Sequence, residues 1–353
     1  MIAFAFPLLL LFIFYLVFTE HYLGENEVHK YIYWGLCVVL ILFSSLRPLG
    51  LDPDSLNYEN SFLYGSSDVL EFTEPSYFLL ADFVQFFTDD VHGLFFMYAA
   101  IGITLRFYAI RKLSYFYFLP LAIYMGNFYI LHDYIQMRVS IASAFLLLSI
   151  IPLSKGKKGW ALLCYLLGAF FHYSAFILLI ILCFSNKPLT TTWKYILIAI
   201  VPIGVVLFFL HIDFINMLPI SFVQEKVETY QELVNKGFYE ETSLKSPFIW
   251  TKAAALYYIL YYYDRIYERC PYLPILLKIT GLSLLSFFAF SSISVVAGRI
   301  SELFGIVEIL LFPCICFTFK PDWAGKLIVC ITGAIEFIFT LYVWKLLDFE
   351  HFI

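Results

Sequence analysis

Apolar runs long enough to cross a lipid bilayer recur along the whole chain, and they limit its fold more than any other feature. The runs without Asp, Glu, Lys or Arg are 1–19, 31–46, 113–132, 139–154, 159–186, 195–212 and 279–298. A helix needs about 20 apolar residues to cross the bilayer core. Hydrophobic residues make up 62 % of the 353 residues and charged residues 14 %, whereas soluble domains carry roughly 25 % charged residues. The surplus of apolar side chains must face lipid, so the sequence predicts a polytopic membrane protein.

Weaker apolar runs, with a charge near one end, add further candidate spans: 93–110, 248–263, 273–292, 300–319 and 327–344. We therefore expect an all-α polytopic membrane protein with about ten full transmembrane helices. The first run lacks a basic start and a small-residue cleavage site, so we expect a retained span and not a signal peptide. Because no repeat or soluble appendage is recognisable, residues 1–353 are predicted to form a single integral membrane domain.

Basic residues in short loops predict the orientation, because such loops face the cytoplasm. They are Arg111, Lys112, Lys155, Lys157, Lys158, Lys187, Lys194, Arg265, Arg269, Lys320 and Lys326. The acidic stretches 52–74 and 213–247 are predicted to lie outside, as are both termini. We expect 47–90 to form an outside loop and an interfacial helix, and 213–247 to form a second outside loop.

One apolar run, 160–185, lies between two basic loops. A single straight helix there would put one lysine cluster on the wrong side of the membrane. A re-entrant hairpin of two half-helices, turning near 171–174, restores the alternation. Broken helices at membrane depth are tolerated only where they line a protein cavity, so the sequence predicts a cavity beside His172.

The charge and the cysteines exclude several classes of protein. A net charge of −5 provides no basic face, so no nucleic-acid partner is expected. The 7 cysteines form no CxxC motif and are odd in number, which predicts free thiols. No phosphate-binding glycine loop, GxSxG or HExxH motif is present, and no carboxylate cluster suits a divalent metal. We predict neither a metal nor a cofactor.

Arginines mark the outer ends of several predicted spans, where ionisable side chains are costly and usually functional. They are Arg47, Arg138 and Arg299. The alternative for Arg47 and Arg138 is a contact with lipid headgroups, and for Arg299 an ion pair with Glu302, one turn further on. Because the guanidinium fork matches phosphate geometry, arginines on one membrane face indicate a phosphate or pyrophosphate ligand.

His172 lies in the middle of an uncharged stretch, at the predicted turn of the broken helix. A buried histidine is often only a packing residue, but here the expected cavity favours a functional one. Histidine can exchange a proton near neutral pH. The loop that follows Arg47 contains Asp52 and Asp54, and its prolines and glycine fix its path.

Short signatures follow one another along the chain: Arg47 with Asp54-x-x-x-Tyr58-x-x-x-Phe62, Glu74-Pro75-x-Tyr77, Gln136-x-Arg138-x-x-x-Ala142, the basic loop 155–158, Phe171-His172-x-Ser174-Ala175, and Arg299. In their order and spacing, the chain resembles the EpsG/Wzy family of polytopic polysaccharide polymerases over residues 30 to about 310. Pro53 beside Asp54 leaves open whether Asp52 or Asp54 is the matching acid.

The resemblance implies a multi-pass enzyme of the bacterial inner (cytoplasmic) membrane, with its active site facing the periplasm or exterior. Such an enzyme joins undecaprenyl-pyrophosphate-linked oligosaccharide repeat units of an O-antigen or exopolysaccharide by glycosyl transfer. The lipid-linked oligosaccharide and the bilayer are its implied partners, and a chain-length regulator is a further one.

In this scheme the residues divide into catalytic and substrate-binding candidates. We expect Arg138 and Arg299, assisted by Arg47, to stabilise the departing pyrophosphate. We expect His172 or Asp54 to accept the proton of the attacking hydroxyl. The substrate-binding candidates are Arg47, Asp52, Tyr58, Glu74, Gln136 and Glu302.

Other functions remain open from the sequence. One alternative is a polysaccharide ligase, which passes the finished glycan to another acceptor, or a membrane acyltransferase. An acyltransferase would place its histidine among different neighbours and would need a path for an acyl donor. A flippase or transporter of the lipid-linked oligosaccharide would show pseudo-repeats and a cavity that alternates between the two sides. The sequence shows no repeat, and its polar residues cluster on the outer side, so a polymerase is favoured.

Overall fold

The computed structural model describes residues 2–23, 27–65, 74–210, 243–244 and 246–349. Every regular element in these ranges is a helix, which confirms the all-helical prediction for the described residues. Most of the predicted outside loop 213–247 lies outside the described residues, as does 66–73.

The chain groups into two compact units, described separately below. Unit 1 comprises Met1–Cys183 and Phe312–Ile353, and unit 2 comprises Phe184–Leu311. The predicted single integral membrane domain stays a prediction.

Unit 1 contains helices of three kinds. Its α-helices are α1 (Ile2–Leu23), α2 (Glu27–Ser45), α3 (Ser55–Tyr64), α4 (Pro75–Gln85), α5 (His92–Leu113), α6 (Leu119–Ile123), α7 (Met137–Ser154) and α8 (Lys158–Phe171). A π-helix (Tyr124–Ile135) continues α6, and a 3-10 helix (Tyr173–Cys183) follows α8. In unit 2, the helices are α9 (Thr191–Phe209), α10 (Pro247–Tyr261), α11 (Tyr263–Tyr267), α12 (Leu273–Ala289), α13 (Ser294–Gly305) and α14 (Glu308–Leu311). The chain then returns to unit 1 with a 3-10 helix (Phe312–Thr318), α15 (Asp322–Ile338) and a second π-helix (Phe339–Val343).

Several helices are long and apolar enough to cross a membrane. Among the described residues these are Glu27–Ser45, His92–Leu113, Met137–Ser154, Thr191–Phe209, Ser294–Thr318 and Asp322–Val343. Shorter apolar helices are Phe4–Glu20, Lys158–Phe171, Tyr173–Cys183 and Leu273–Ala289. The chain is therefore a multi-pass membrane protein, while the count of about ten spans stays a prediction.

Close helix contacts in unit 1 depend on small residues. Helix α5 packs against α2 and α7, and α7 packs against α8. A Cβ atom at Gly126 would lie 2.7 Å from the carbonyl oxygen of Gly333, and one at Gly333 would lie 2.5 Å from that of Ala122. Because neither glycine has a side chain, α15 approaches the backbone of α6 and the first π-helix directly.

The chain breaks at His172, as the sequence predicts for this position. Helix α8 ends there in an extended backbone conformation (φ −154°, ψ 116°). A Cβ atom at Gly168 would lie 3.6 Å from the Cβ of Ala175. In a continuous helix, these two residues, which are seven apart, would be separated by about 10 Å along the axis. Their close approach therefore shows that the 3-10 helix folds back on α8. That this pair forms a re-entrant hairpin in the membrane stays a prediction.

Unit 2 is built around α12, which packs against α9, α10 and α13. Gly281 allows a close approach to α9, because a Cβ atom there would lie 2.7 Å from Leu197 Cδ2. Polar side chains on α10, α12 and α13 meet inside this unit and are described with the site below.

Candidate functional site

Glu74, Arg138 and His172 meet although they come from separate parts of unit 1. Glu74 precedes α4, Arg138 lies in the first turn of α7, and His172 ends α8. Glu74 Oε2 accepts a hydrogen bond from the Arg138 guanidinium. Glu74 Oε1 lies 2.8 Å from His172 Nδ1 and accepts from the backbone N–H of Tyr173 at 3.1 Å. We call Glu74, Arg138 and His172 the Glu74 cluster.

Local backbone chemistry places the Glu74 carboxylate at this junction. Pro75 occupies the first turn of α4, where its missing N–H costs nothing. Glu74 is the N-cap residue in an extended conformation, and its side chain makes no capping hydrogen bond. The Glu74 side chain therefore does not cap its own helix. The carboxylate instead joins the ends of three helices.

The charge state of Glu74 decides which nitrogen of His172 carries the proton. Burial alone would raise the pKa of the Glu74 carboxyl, but the hydrogen bond from His172 and the charge of Arg138 lower this pKa to about 2. An ionised carboxylate only accepts hydrogen bonds, so His172 Nδ1 is the donor. In the neutral imidazole, Nε2 is then the proton-accepting atom. The His172 side chain is 19 % exposed and that of Glu74 4 %.

Aromatic side chains form one wall beside Arg138. The Arg138 guanidinium carbon lies 5.8 Å from the ring centroid of Tyr58. The Tyr58 and Tyr77 rings stack at 6.4 Å, and the Tyr77 hydroxyl donates to the Tyr58 carbonyl at 3.3 Å. Arg138 is 26 % exposed and has five N–H donors. It can therefore bind a second anion while it keeps Glu74.

Arg47 and Asp52 form a separate, buried ion pair. Arg47 Nε lies 3.4 Å from Asp52 Oδ2, and the guanidinium donates to the carbonyl of Tyr134 and covers the ring of Phe95 at 3.9 Å. The Arg47 side chain is only 1 % exposed. Burial raises the pKa of the Asp52 carboxyl, although Arg47 acts in the opposite direction. The structure gives this pair a position inside the protein, and its predicted contact with substrate stays a prediction.

The remaining candidates of unit 1 lie near these two groups. Asp52 Oδ1 accepts from the backbone N–H groups of Asp54 at 3.0 Å and Ser55 at 2.9 Å, which fixes the start of α3. Asp54 is half-buried, and its charge acts on Tyr58. Gln136 is half-buried at the junction between the first π-helix and α7.

Arg299 and Glu302 lie in unit 2, on α13. Arg299 is exposed and Glu302 half-buried, and the charges of Lys252 and Arg299 both act on Glu302. Lys252 Nζ lies 2.8 Å from Glu308 Oε1 and donates to Ser283 Oγ at 2.6 Å. The carboxylate of Glu308 thus has Lys252 as its ion-pair partner.

A buried pair that sequence reasoning missed lies next to the Glu74 cluster. Arg106, in α5, donates to Asp133 of the first π-helix and to the carbonyl of Ser140 at 2.9 Å. The Tyr124 hydroxyl donates to Asp133 Oδ2 at 2.7 Å. Both charged side chains have no exposed surface. The sequence contained a signal for this pair, because Arg106 lies near the end of one apolar run and Asp133 directly follows another. The two charges are of opposite sign. Through Ser140, this pair holds the first turn of α7, where Arg138 lies.

The arrangement combines a cation, a carboxylate and an imidazole. Among the described residues, no group of three or more His, Cys, Asp or Glu side chains could hold a metal ion. Together, Arg138 and His172 can stabilise an anion and accept a proton.

Comparison with known proteins identifies the family from sequence alone. No curated protein and no solved structure matches the chain. The family model named "EpsG family" matches residues 30–352, which include the Glu74 cluster. The chain therefore belongs to the EpsG family of polysaccharide polymerase-like membrane proteins.

Proposed function

We propose that this protein joins oligosaccharide repeat units carried on undecaprenyl pyrophosphate, at the periplasmic face of the bacterial inner membrane. Membership of the EpsG family supports a polysaccharide polymerase. The lipid-pyrophosphate donor, the membrane and the face are our proposal. One observation carries it: the Glu74 carboxylate contacts both the Arg138 guanidinium and His172 Nδ1.

In the proposed reaction, a sugar hydroxyl of one lipid-linked unit attacks the anomeric carbon of the glycan on a second lipid. The new bond is the glycosidic C–O bond, and the bond that breaks joins the anomeric carbon to the pyrophosphate oxygen. The hydroxyl proton passes to His172 Nε2, and the electron pair leaves with undecaprenyl pyrophosphate. Arg138 stabilises that leaving group, an electrostatic task for which a preorganised cation is suited.

For Glu74, we propose a role that differs from the substrate contact predicted from the sequence. Its two oxygens already accept from Arg138, His172 and the Tyr173 N–H. We propose that it positions the base and the cation relative to each other. Tyr58 and Gln136 remain candidates for substrate contacts, Asp54 is the second candidate for the base, and Arg299 stays a predicted pyrophosphate ligand.

The proposed topology supports an outward-facing site. The cluster lies at the ends of helices opposite to the basic Lys155–Lys158 loop, which the positive-inside rule assigns to the cytoplasm. The finer topology of about ten spans, with a re-entrant hairpin at 160–185 and an interfacial helix at 75–90, belongs to the same proposal.

Arg138→Ala and His172→Ala test the function in membranes or with purified lipid-linked repeat units. We expect both variants to leave single repeat units on the lipid and to form no polymer. Loss of a proton acceptor typically lowers the rate by about 10²–10⁴-fold. Lys112→Ala, which removes an exposed cation in the last turn of α5, is the control. This variant should polymerise normally. Polymer of normal length and yield from both cluster variants would contradict the proposal.

A further inference from the structure

A groove between α7 and α8 lies away from the Glu74 cluster. Its cavity volume is about 460 Å³. The inner wall is apolar and includes Phe145 and Leu148 of α7 with Leu163 and Leu167 of α8. At the connection between the two helices, the groove is lined by Lys155, Lys157 and Trp160. We call this end of the groove its mouth. All of these residues belong to unit 1.

The groove has the depth of one leaflet. Phe145 and Lys155 are ten residues apart along α7 and its end, a rise of about 15 Å. The hydrocarbon core of a bilayer is about 30 Å thick, so the groove follows one half of it. Arg138 is at the opposite end of α7, about 25 Å from Lys155 along the helix axis. The groove therefore opens in the leaflet farther from the Glu74 cluster.

The mouth of the groove has the chemistry of a headgroup site. Lys155 and Lys157 are exposed, and the Trp160 side chain is 63 % exposed. Tryptophan is enriched at the level of lipid headgroups, and lysines at that level attract anionic lipids. Beneath the lysines, the lining is almost wholly apolar, which suits a hydrocarbon chain and not a peptide or a sugar.

We propose that this groove binds an anionic glycerophospholipid, with one acyl chain along α7 and α8 and the phosphate at Lys155 and Lys157. Charge complementarity at the mouth and the one-leaflet depth of the apolar wall carry the assignment. The site is separate from the proposed polymerase site, since the two lie at opposite ends of α7. A polyprenyl-phosphate carrier is the competing occupant, and the experiment distinguishes it.

Quenching of Trp160 fluorescence by brominated lipids tests the proposal on the full-length protein in nanodiscs. Each sample is compared with its Trp160→Phe counterpart, so that only the Trp160 signal is counted. The nanodiscs contain unbrominated phosphatidylcholine as the background lipid. In this background, we expect brominated phosphatidylglycerol to quench Trp160 much more strongly than the same amount of brominated phosphatidylcholine. A lysine near the surface is worth about 1 kcal/mol, or roughly fivefold in affinity.

Lys155→Gln/Lys157→Gln removes the cations of the mouth, and Lys112→Gln/Lys187→Gln is the matched control, because these lysines are also exposed and lie in other basic loops. We expect the first pair to lose about tenfold or more of the preference for the anionic lipid, and the control pair to keep it. Leu167→Phe, which fills the apolar wall, should weaken binding of both brominated lipids.

Each contrary result would overturn the assignment. Equal quenching by the two lipids in the unaltered protein would show that the mouth does not select a charge. A preference that survives Lys155→Gln/Lys157→Gln would place the anionic lipid elsewhere. Displacement of brominated phosphatidylglycerol by undecaprenyl phosphate at equal concentration would identify the carrier lipid as the occupant instead.

Discussion

His172 Nδ1 lies 2.8 Å from Glu74 Oε1, across 98 residues of sequence. This hydrogen bond fixes the ring orientation and the tautomer, and the same carboxylate restrains Arg138. The base and the cation of the proposed reaction therefore depend on one acid. Their relative position is set by a residue that has little exposed surface of its own.

Glu74→Gln separates a positioning role from a sugar contact. Glutamine keeps the size but removes the charge, so His172 is less well oriented and Arg138 loses its partner. We expect kcat to fall by about tenfold or more, with KM for the lipid-linked donor not raised. Glu59→Gln, on the neighbouring helix α3, is the control and should leave both constants unchanged. A rise in KM with unchanged kcat would instead indicate that Glu74 binds sugar.

Acid should weaken the contribution of Glu74 to stability. Its folded pKa of about 2 lies below the ordinary value of 4.5, so the ionised form is favoured by folding. The stabilisation, about 3 kcal/mol, is present above pH 4.5 and is lost as pH falls toward 2. The difference in Tm between the unaltered protein and Glu74→Gln should be constant above about pH 5 and narrow by pH 3. A difference that widens on acidification would contradict the assigned pKa.

Removing one partner of the Arg106–Asp133 pair should lower the free energy of unfolding more than replacing both partners. Removing one partner leaves a buried charge, so Arg106→Leu or Asp133→Leu should lower the free energy of unfolding by about 3–5 kcal/mol. The double replacement should recover much of that loss, as measured by denaturation in detergent. The exposed pair of Glu27 and Lys30 is the control, where single replacements should cost less than about 1 kcal/mol. Additive losses in the buried pair would contradict this prediction.

Gly333→Ala should push α15 away from α6. The added methyl group would lie 2.5 Å from the carbonyl oxygen of Ala122, and backbone atoms cannot turn aside as a side chain can. We expect a loss of about 1–3 kcal/mol. At Gly35 of α2, no atom lies within 4 Å of such a methyl group, so Gly35→Ala should be neutral or stabilising by up to about 1 kcal/mol. Equal Tm values for the two variants would contradict the contact.

Cysteine labelling tests the predicted hairpin. In a cysteine-free background, Gly156→Cys and Pro188→Cys should react with an impermeant reagent from the same, cytoplasmic side. Asn60→Cys marks the predicted outer side and Lys112→Cys the inner side, and both positions are exposed. Labelling of positions 156 and 188 from opposite sides would show that 160–185 crosses the membrane once.

The sequence predicted the helical class because the apolar runs and the amino-acid composition alone require it. It also predicted the break at His172, since the charges on either side of 160–185 demanded a turn. These inferences rest on local patterns, which need no knowledge of how distant helices pack. The sequence placed Arg138 at the outer end of a span and His172 at the turn of a broken helix, but it did not predict that Glu74 joins them.

Pairings between helices were beyond sequence reasoning. Glu74 before a proline is typical of a helix start, and nothing local reveals that its carboxylate reaches His172. The burial of Arg47 against Phe95 and the Tyr134 carbonyl is likewise a tertiary property, which the sequence does not reveal. The Arg106–Asp133 pair was missed for the same reason, since the two residues belong to different helices.

The discontinuity of unit 1 has a consequence for biogenesis. The first π-helix, which leads into the helix of Arg138, packs on Gly333, and Thr340 donates to the Asn127 side chain at 3.2 Å. A ribosome must complete the whole of Phe184–Leu311 before it makes these partners. Nascent chains that lack α15 and the second π-helix should therefore hold α7 without this support, so that the Glu74 cluster would assemble only after these helices have been made.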